Sequence, residues 1–236
     1  MCLQGSASDH HRDARSWRVQ RVVIVPGLAV RRYLRPARAA LRRRGIDADL
    51  TPAPGQPGEH CDLSAFGRSL GEQLRGRPVD LLVGQSVGAQ AAAVAAAVAN
   101  GSSASGGVRH LVLVGPTMDP PARRRSVLAG RFVAAGRYER PALLGEQVPE
   151  WVRAGPRRVA AVAASARRLP LEGLLSPGVV RLTVVHAERD TITSHDYAAR
   201  IAAAGGGRLV VVPGASHSWP YDDEERFADT VAEWLP

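Results

Sequence analysis

The sequence predicts an α/β protein whose mainly parallel sheet has about six strands and carries helices on both faces. Short, continuous apolar runs such as residues 22–25 recur along the chain, as expected for strands that are covered on both sides. Segments of helical character alternate with these runs, and this alternation is typical of parallel sheets. The chain has 236 residues, 45% of them hydrophobic, which is enough for one domain with a full core.

The strands are predicted from apolar runs that glycine, proline or polar residues interrupt. In chain order they cover residues 19–25, 47–51, 79–83, 108–114, 180–186 and 208–212. Helices are predicted between and after them, at residues 30–44, 63–75, 87–99, 195–204 and 224–235. Asp62 can cap the second helix, and Gly45 can end the first.

The alternation breaks at residues 118–176, a segment rich in arginine, alanine and proline. Short helices fit it best, because apolar residues such as Phe132, Leu143 and Trp151 need something to cover. We therefore expect a small helical cap inserted between two strands of a domain that spans residues 19–236. The polar residues 1–18 are expected to be a disordered lead-in.

A net charge of +9 would ordinarily suggest nucleic acid or a membrane surface as a partner. Every basic residue is arginine, however, and the arginines are scattered or lie at helix ends with few aromatic residues between them. No nucleic-acid-binding motif occurs, so we expect no nucleic-acid partner. No signal peptide or membrane-spanning run is recognisable, and a cytoplasmic protein is expected. The two cysteines have no metal or disulfide spacing, and oligomeric state stays open.

The run Gly84-Gln85-Ser86-Val87-Gly88 joins a predicted strand to a predicted helix. A serine on such a sharp turn has its hydroxyl exposed and can act as a nucleophile. Serine needs an adjacent base, and histidine is the natural one because its ordinary pKa lies near neutrality. Of seven histidines, only His217 lies in a loop of small residues just after a late strand.

A carboxylate must hold such a histidine in the right tautomer. Asp190 follows the fifth strand directly and gives the chain order Ser86, Asp190, His217. Glu188, Asp196 and Asp119 are alternatives. Asp190 could instead have a purely structural role, as an aspartate that stabilises a turn or caps the next helix.

Two backbone amides could stabilise an oxyanion, those of Val87 and of Leu28 in the loop after the first strand. Leu28, Ser86, Asp190 and His217 all follow the carboxyl end of a predicted strand. In open parallel sheets, ligands bind at that edge. The shared placement is the strongest functional signal in the sequence.

From residue 19 to 235 the chain resembles the α/β-hydrolase superfamily, in its small, single-domain esterase- and lipase-like members. Four pieces carry the resemblance: Val25-Pro26-Gly27-Leu28, Gly84-Gln85-Ser86-Val87-Gly88, Ala187-Glu188-Arg189-Asp190 and Gly214-Ala215-Ser216-His217. The resemblance implies Ser86 as nucleophile, His217 as general base and acid, Asp190 as its partner, and Leu28 and Val87 as oxyanion-hole positions. Pro26 and Gln85 stand where the family often has histidine. The short lead-in leaves no room for extra opening strands, so we expect the strand order 2-1-3-4-5-6.

The expected function is hydrolysis of a carboxylic ester, thioester or lactone through an acyl-enzyme on Ser86, with no metal and no organic cofactor. An apolar pocket for a small acyl substrate is expected from cap residues and their neighbours: Gln85, Met118, Trp151, Ile192 and Trp219, with Phe132, Leu143 and Leu144. A cyclase, lyase or acyltransferase of the same fold, such as an enzyme of natural-product biosynthesis, is an alternative. A non-catalytic binding protein is another.

Overall fold

One six-stranded sheet runs through the computed structural model, which describes residues 20–101 and 107–236. Its strands are β1 (Arg21–Val25), β2 (Asp47–Leu50), β3 (Val79–Gln85), β4 (Val108–Val114), β5 (Arg181–Ala187) and β6 (Arg208–Val212). They lie in the order β2-β1-β3-β4-β5-β6, and every neighbouring pair is parallel. The predicted fold class and strand order are confirmed. The strand β3 is two residues longer than predicted because Gly84 and Gln85 still pair with β4.

Nine α-helices accompany the sheet in the described part of the chain: α1 (Arg35–Arg43), α2 (Leu63–Leu74), α3 (Gly88–Asn100), α4 (Arg125–Ala135), α5 (Ala142–Ala154), α6 (Pro156–Arg168), α7 (His195–Ala204), α8 (Trp219–Asp222) and α9 (Glu224–Ala232). Asp62 caps α2 by accepting a hydrogen bond from the amide of Ala65, as predicted. The predicted start of the first helix at residue 30 is wrong. Leu28 and Ala29 have left-handed backbone angles and a 3₁₀ turn fills residues 32–34, so α1 begins only at Arg35.

The helices cover both faces of the sheet because alternate strand residues point to opposite sides. Val23 and Leu82 pack in the core formed with α2, α3 and α7, whereas Val22 and Leu81 pack with α1 and α9 on the other face. The alanine-rich helix α3 is almost wholly buried, and its small side chains let it lie close to α2. Parallel strands covered in this way bring their carboxyl ends to one edge, where the loops are free to form a site.

Residues 118–176, between β4 and β5, form α4, α5 and α6 together with two 3₁₀ turns. The helix α5 contacts the 3₁₀ turn at residues 32–34, which follows the loop after β1. The segment therefore lies at the carboxyl edge of the sheet. The expected disordered lead-in, residues 1–18, falls outside the described residues.

Within residues 20–101 and 107–236, the helices are all too short or too polar to cross a membrane.

Candidate active site

Ser86 lies at the turn between β3 and α3 with a backbone φ of 57°. A serine in this left-handed region costs on the order of 1–3 kcal/mol and is kept there only by its surroundings. The start of α3 is packed tightly on the end of β1: a Cβ on Gly88 would lie 2.5 Å from the carbonyl oxygens of Val25 and Pro26. This close packing fixes the turn, and the Ser86 side chain lies at the wall of a cavity.

Asp190 and His217 follow β5 and β6, and their side chains meet. The distance between His217 Nδ1 and Asp190 Oδ2 is 2.8 Å, and both side chains are buried. The other carboxylate oxygen of Asp190 accepts the amides of Ile192 and Thr193 at 2.8 and 2.9 Å. Gln85 donates to the carbonyl oxygen of His217 at 3.0 Å. The histidine ring is therefore oriented by its neighbours through both its side chain and its backbone.

Neighbouring groups determine the protonation states of Asp190 and His217. Burial alone would raise the pKa of Asp190, but the His217 ring and the two amides outweigh burial and hold that pKa below its ordinary value. Burial alone would lower the pKa of His217, but the Asp190 carboxylate and, more weakly, Glu139 raise it above its ordinary value. Asp190 is therefore ionised near neutral pH, beside a histidine that readily takes up a proton.

The loop after β1 presents a free backbone amide beside Ser86. Leu28 and Ala29 have φ values of 33° and 59°, and the Val30 amide closes a turn onto Gly27 at 3.0 Å. A Cβ on Gly27 would lie 3.0 Å from the Ser86 Cβ, so the loop touches the serine. Among the described residues, the Leu28 amide has no hydrogen-bond acceptor.

The Val87 amide, next to the serine at the N-terminal end of α3, likewise donates to no described group. Two unused N–H donors beside one hydroxyl form an arrangement that can stabilise developing negative charge.

The helix α5 holds the loop after β1 in place. Trp151 donates from its indole N–H to the carbonyl oxygen of Leu28 at 2.9 Å. The neighbouring Glu150 accepts the amides of Arg31 and Arg32 through one carboxylate oxygen, at 2.5 and 2.8 Å. Glu150 and Trp151 are more than a hundred residues away from this loop in sequence, and both stabilise its backbone near Leu28.

Glu139, between α4 and α5, contacts the loop that carries His217. It accepts the Ser218 amide at 3.1 Å and the Ser216 hydroxyl at 3.3 Å. Glu139 shares the single hydroxyl proton of Ser216 with Asp222, whose Oδ2 is nearer, at 2.8 Å from the hydroxyl oxygen. Burial raises the pKa of Glu139, although His217 and the Ser218 amide oppose that rise. Glu139 is therefore a second carboxylate, besides Asp190, whose charge acts on His217.

A cavity of about 330 Å³ lies between the sheet edge and the 118–176 segment. Its wall includes five of the residues predicted for the site: Leu28, Ser86, Trp151, Ile192 and His217. Phe132, Leu143 and Leu144, expected from the same segment, line it as well. The wall is mostly apolar, with polar groups near Ser86 and His217, and this composition is typical of small-molecule sites.

Besides Asp190, four predicted residues lie outside the cavity wall. Gln85 and Met118 are buried, and Gln85 is turned toward the His217 backbone. Val87 is buried too, so only its amide bears on the site. Trp219 begins the short helix α8, which turns its ring onto Phe227 with the ring centroids 5.4 Å apart. Trp219 therefore packs away from the cavity.

The alternative acids have other partners. Asp119 is buried against Arg131, with Oδ1 2.6 Å from the guanidinium. Glu188 accepts the Gly214 amide at 2.6 Å, and Asp196 is exposed on α7. Of the four candidate acids, the structure brings only Asp190 to His217.

Sequence reasoning missed Glu139, Glu150 and Tyr33. Tyr33 is buried in the cavity wall, and this burial raises its pKa. Residues 118–176 contain only five acidic residues beside eleven arginines, but this composition does not indicate which loop each carboxylate contacts. No cluster of three or more His, Cys, Asp or Glu side chains suited to a metal ion occurs in the described ranges.

Comparison with known proteins gave matches to a family model and to solved structures. The model, described as alpha/beta hydrolase family, matches residues 5–230. No curated protein sequence matches significantly.

Three similar solved structures illustrate the likeness. The esterase EaEST from Exiguobacterium antarcticum is 16% identical with a TM-score of 0.67, and 91% of each chain is covered. The deformylase Nfo from Pseudomonas putida S16 is 20% identical with a TM-score of 0.61, covering 91% of this chain and 92% of its own. NosK from Streptomyces actuosus is 22% identical with a TM-score of 0.65, covering 92% of this chain and 97% of its own. At such identities, the likeness shows the fold alone.

Proposed function

The chain belongs to the alpha/beta hydrolase family, and from this premise we propose that it is a serine hydrolase that cleaves a carboxylic ester, thioester or lactone. One observation carries the proposal: His217, joined to the buried Asp190 at 2.8 Å, lines the same cavity as Ser86. The substrate is a small molecule with an acyl group that fits a largely apolar cavity. Residues 118–176 act as the cap that closes it.

Acylation begins when His217 takes the Ser86 proton while the Ser86 oxygen bonds to the substrate carbonyl carbon. The carbonyl π electrons move onto oxygen, and a tetrahedral oxyanion forms. When the oxyanion collapses, the bond to the leaving alkoxide or thiolate breaks, and His217 returns the proton to that group. Asp190 keeps the Nδ1 proton of His217 in place and stabilises the imidazolium that forms in between.

Deacylation repeats these steps with water. His217 removes a proton from water, the hydroxide bonds to the acyl carbon, and the proton is then delivered to the departing Ser86 oxygen. In both tetrahedral states the negative oxygen accepts the Leu28 and Val87 amides, whose loss as donors typically costs about 10²–10³ in rate each. Their lack of other partners among the described residues supports this role.

A test of the proposal is active-site titration with p-nitrophenyl butanoate. We expect a burst of nitrophenol equal to one molecule per protein, followed by slower turnover, because the acyl-enzyme accumulates. A fluorophosphonate should label the same site, and mass spectrometry should find the label on the peptide that contains Ser86. A folded protein with neither burst nor label would contradict the proposal, whereas labelling without turnover would favour a non-hydrolytic acyl transfer.

Trp151→Phe is expected to lower kcat for the butanoate ester by about five- to ten-fold while KM changes little. Phenylalanine keeps most of the ring but cannot donate to the Leu28 carbonyl. Such a hydrogen bond stabilises the loop by about 1 kcal/mol, which corresponds to this change in rate. A trifluoromethyl ketone, which forms an oxyanion on Ser86, should bind more weakly by the same factor.

Trp234→Phe is the matched control, because Trp234 packs on His110 near the start of β4, far from the carboxyl edge. Its kcat should equal that of wild type. Equal losses in both variants, or an unchanged ketone affinity in Trp151→Phe, would argue against the role of Trp151 in holding the loop.

Glu139→Gln is expected to shift the acid side of the pH–rate profile to lower pH. The carboxylate raises the pKa of His217, so its neutralisation lowers that pKa. More His217 is then in the neutral, proton-accepting form at a given acidic pH. Glutamine still accepts the Ser218 amide, so the loop should stay in place.

The shift that Glu139→Gln causes is measured from kcat/KM between roughly pH 4 and 8. This range lies around the ordinary pKa of histidine. Glu172→Gln serves as control, since Glu172 lies in the same segment but pairs with Arg123. A profile that does not move, or that moves equally in the control, would show that Glu139 does not act on His217.

A further inference from the structure

An apolar groove lies on the outside of the 118–176 segment, next to the Ser86 cavity. Its volume is about 720 Å³, and three helices line it with residues spaced three or four apart. From α4 come Arg125, Leu128, Ala129 and Phe132, from α5 come Val148, Trp151 and Val152, and from α6 come Pro156, Val159, Ala160, Ala163 and Arg167. Apolar helix faces turned outward in this way mark a binding surface.

The groove and the cavity share a wall. Leu28, Phe132 and Trp151 line both the groove and the cavity that holds Ser86, so the two spaces are neighbours. Phe132 remains 37% exposed although it is a large aromatic residue. A chain bound with its reacting end at Ser86 could therefore continue past Phe132 into the groove.

Two arginines mark the other end of the groove. Arg125 begins α4, seven residues and about 10 Å of helix before Phe132. Arg167 lies in the last turn of α6, and the ion pair between Arg123 and Glu172, at 3.2 Å, brings that helix end to the start of α4. The guanidinium groups of Arg125 and Arg167 form no ion pair or hydrogen bond with any described group, and none of the residues that line the groove is acidic.

We propose that this groove binds the far part of an elongated acyl substrate that ends in an anionic group, a carboxylate or a phosphate. The reacting carbonyl lies at Ser86, the apolar chain passes Phe132 and Trp151, and the anion meets Arg125 and Arg167. This inference rests on the proposed hydrolase function. It follows from the geometry because an apolar path that ends in two unpaired guanidinium groups matches an anionic amphiphile.

The test compares p-nitrophenyl esters of dodecanoic acid whose far end carries a methyl, a carboxylate or a phosphate group. We expect kcat/KM about ten-fold higher for the anionic esters than for the neutral one, a modest gain because the arginines are open to solvent. In the double variant Arg125→Gln, Arg167→Gln this ratio should fall to about one. The more favoured anion identifies which of the two groups the substrate bears.

The double variant Arg153→Gln, Arg157→Gln is the control, because these arginines belong to α5 and α6 but lie outside the groove wall. It should keep the wild-type ratio. A ratio near one in wild type, or a ratio that survives in the Arg125 and Arg167 variant, would overturn the groove proposal while Ser86-dependent hydrolysis of the neutral ester left the proposed function standing. If wild type cleaved no ester and took no fluorophosphonate label, the proposed function would fail first.

Discussion

Ser86→Ala should lower ester turnover by about 10⁴-fold or more and remove all fluorophosphonate labelling. The substitution deletes only the oxygen that forms the acyl-enzyme, and comparable losses follow removal of the nucleophile in other serine hydrolases. Steady-state kinetics with p-nitrophenyl butanoate and gel fluorescence of the labelled protein measure the two effects. Thermal unfolding should change little, because alanine occupies the same backbone position without adding volume.

Ser218→Ala provides the matched control. Ser218 also lines the cavity, but the structure involves its backbone amide, which alanine keeps. The variant should still take the label. Turnover that persists in Ser86→Ala, or a label that disappears with Ser218, would mean that another serine attacks the substrate.

Asp190→Asn should lower kcat by about 10³–10⁴-fold. Asparagine keeps the shape and can still accept the amides of Ile192 and Thr193, but it presents an N–H group or a neutral oxygen to His217. The ring then loses the partner that selects its reactive tautomer and stabilises its charged form. Since the carboxylate also raises the pKa of His217, the residual activity should have its acid limb at lower pH than wild type.

Asp119→Asn tests one of the three alternatives to Asp190 that the sequence left open. Asp119 bonds to Arg131 in the buried interior, so this variant should lose thermal stability but keep its activity per folded molecule within a few-fold. Equal and large losses of kcat in both variants, measured on protein shown to be folded by circular dichroism, would contradict the assignment of Asp190.

The inner strands of the sheet were predictable because they are buried on both faces and have largely apolar sequences. Strand ends were less certain: Gly84 and Gln85 look like turn residues, yet they continue the ladder with β4. The loop after β1 could not be predicted, because Leu28 and Ala29 hold left-handed angles that neither side chain favours. Only contacts with distant parts of the chain impose such angles.

The same difference between local sequence patterns and long-range contacts explains which residues of the site could be predicted. Ser86, Asp190 and His217 follow strand ends, so local patterns locate them. Glu139 and Glu150 act through contacts with residues about 80 to 120 positions away, which no local pattern encodes. Trp219 was expected in the pocket, but it begins α8, and its ring packs on Phe227 instead.

The bonds from Glu150 and Trp151 to the loop after β1 also bear on how this protein could diverge. An inserted segment that merely covered a cavity could be exchanged between relatives, or redesigned, to change substrate preference without harm to the chemistry. Here two adjacent residues of the 118–176 segment, Glu150 and Trp151, form hydrogen bonds with the loop after β1. A grafted replacement would therefore need a hydrogen-bond acceptor at position 150 and a donor at position 151. Sequence variation in the 118–176 segment would then be more constrained in α5 than in α4 or α6.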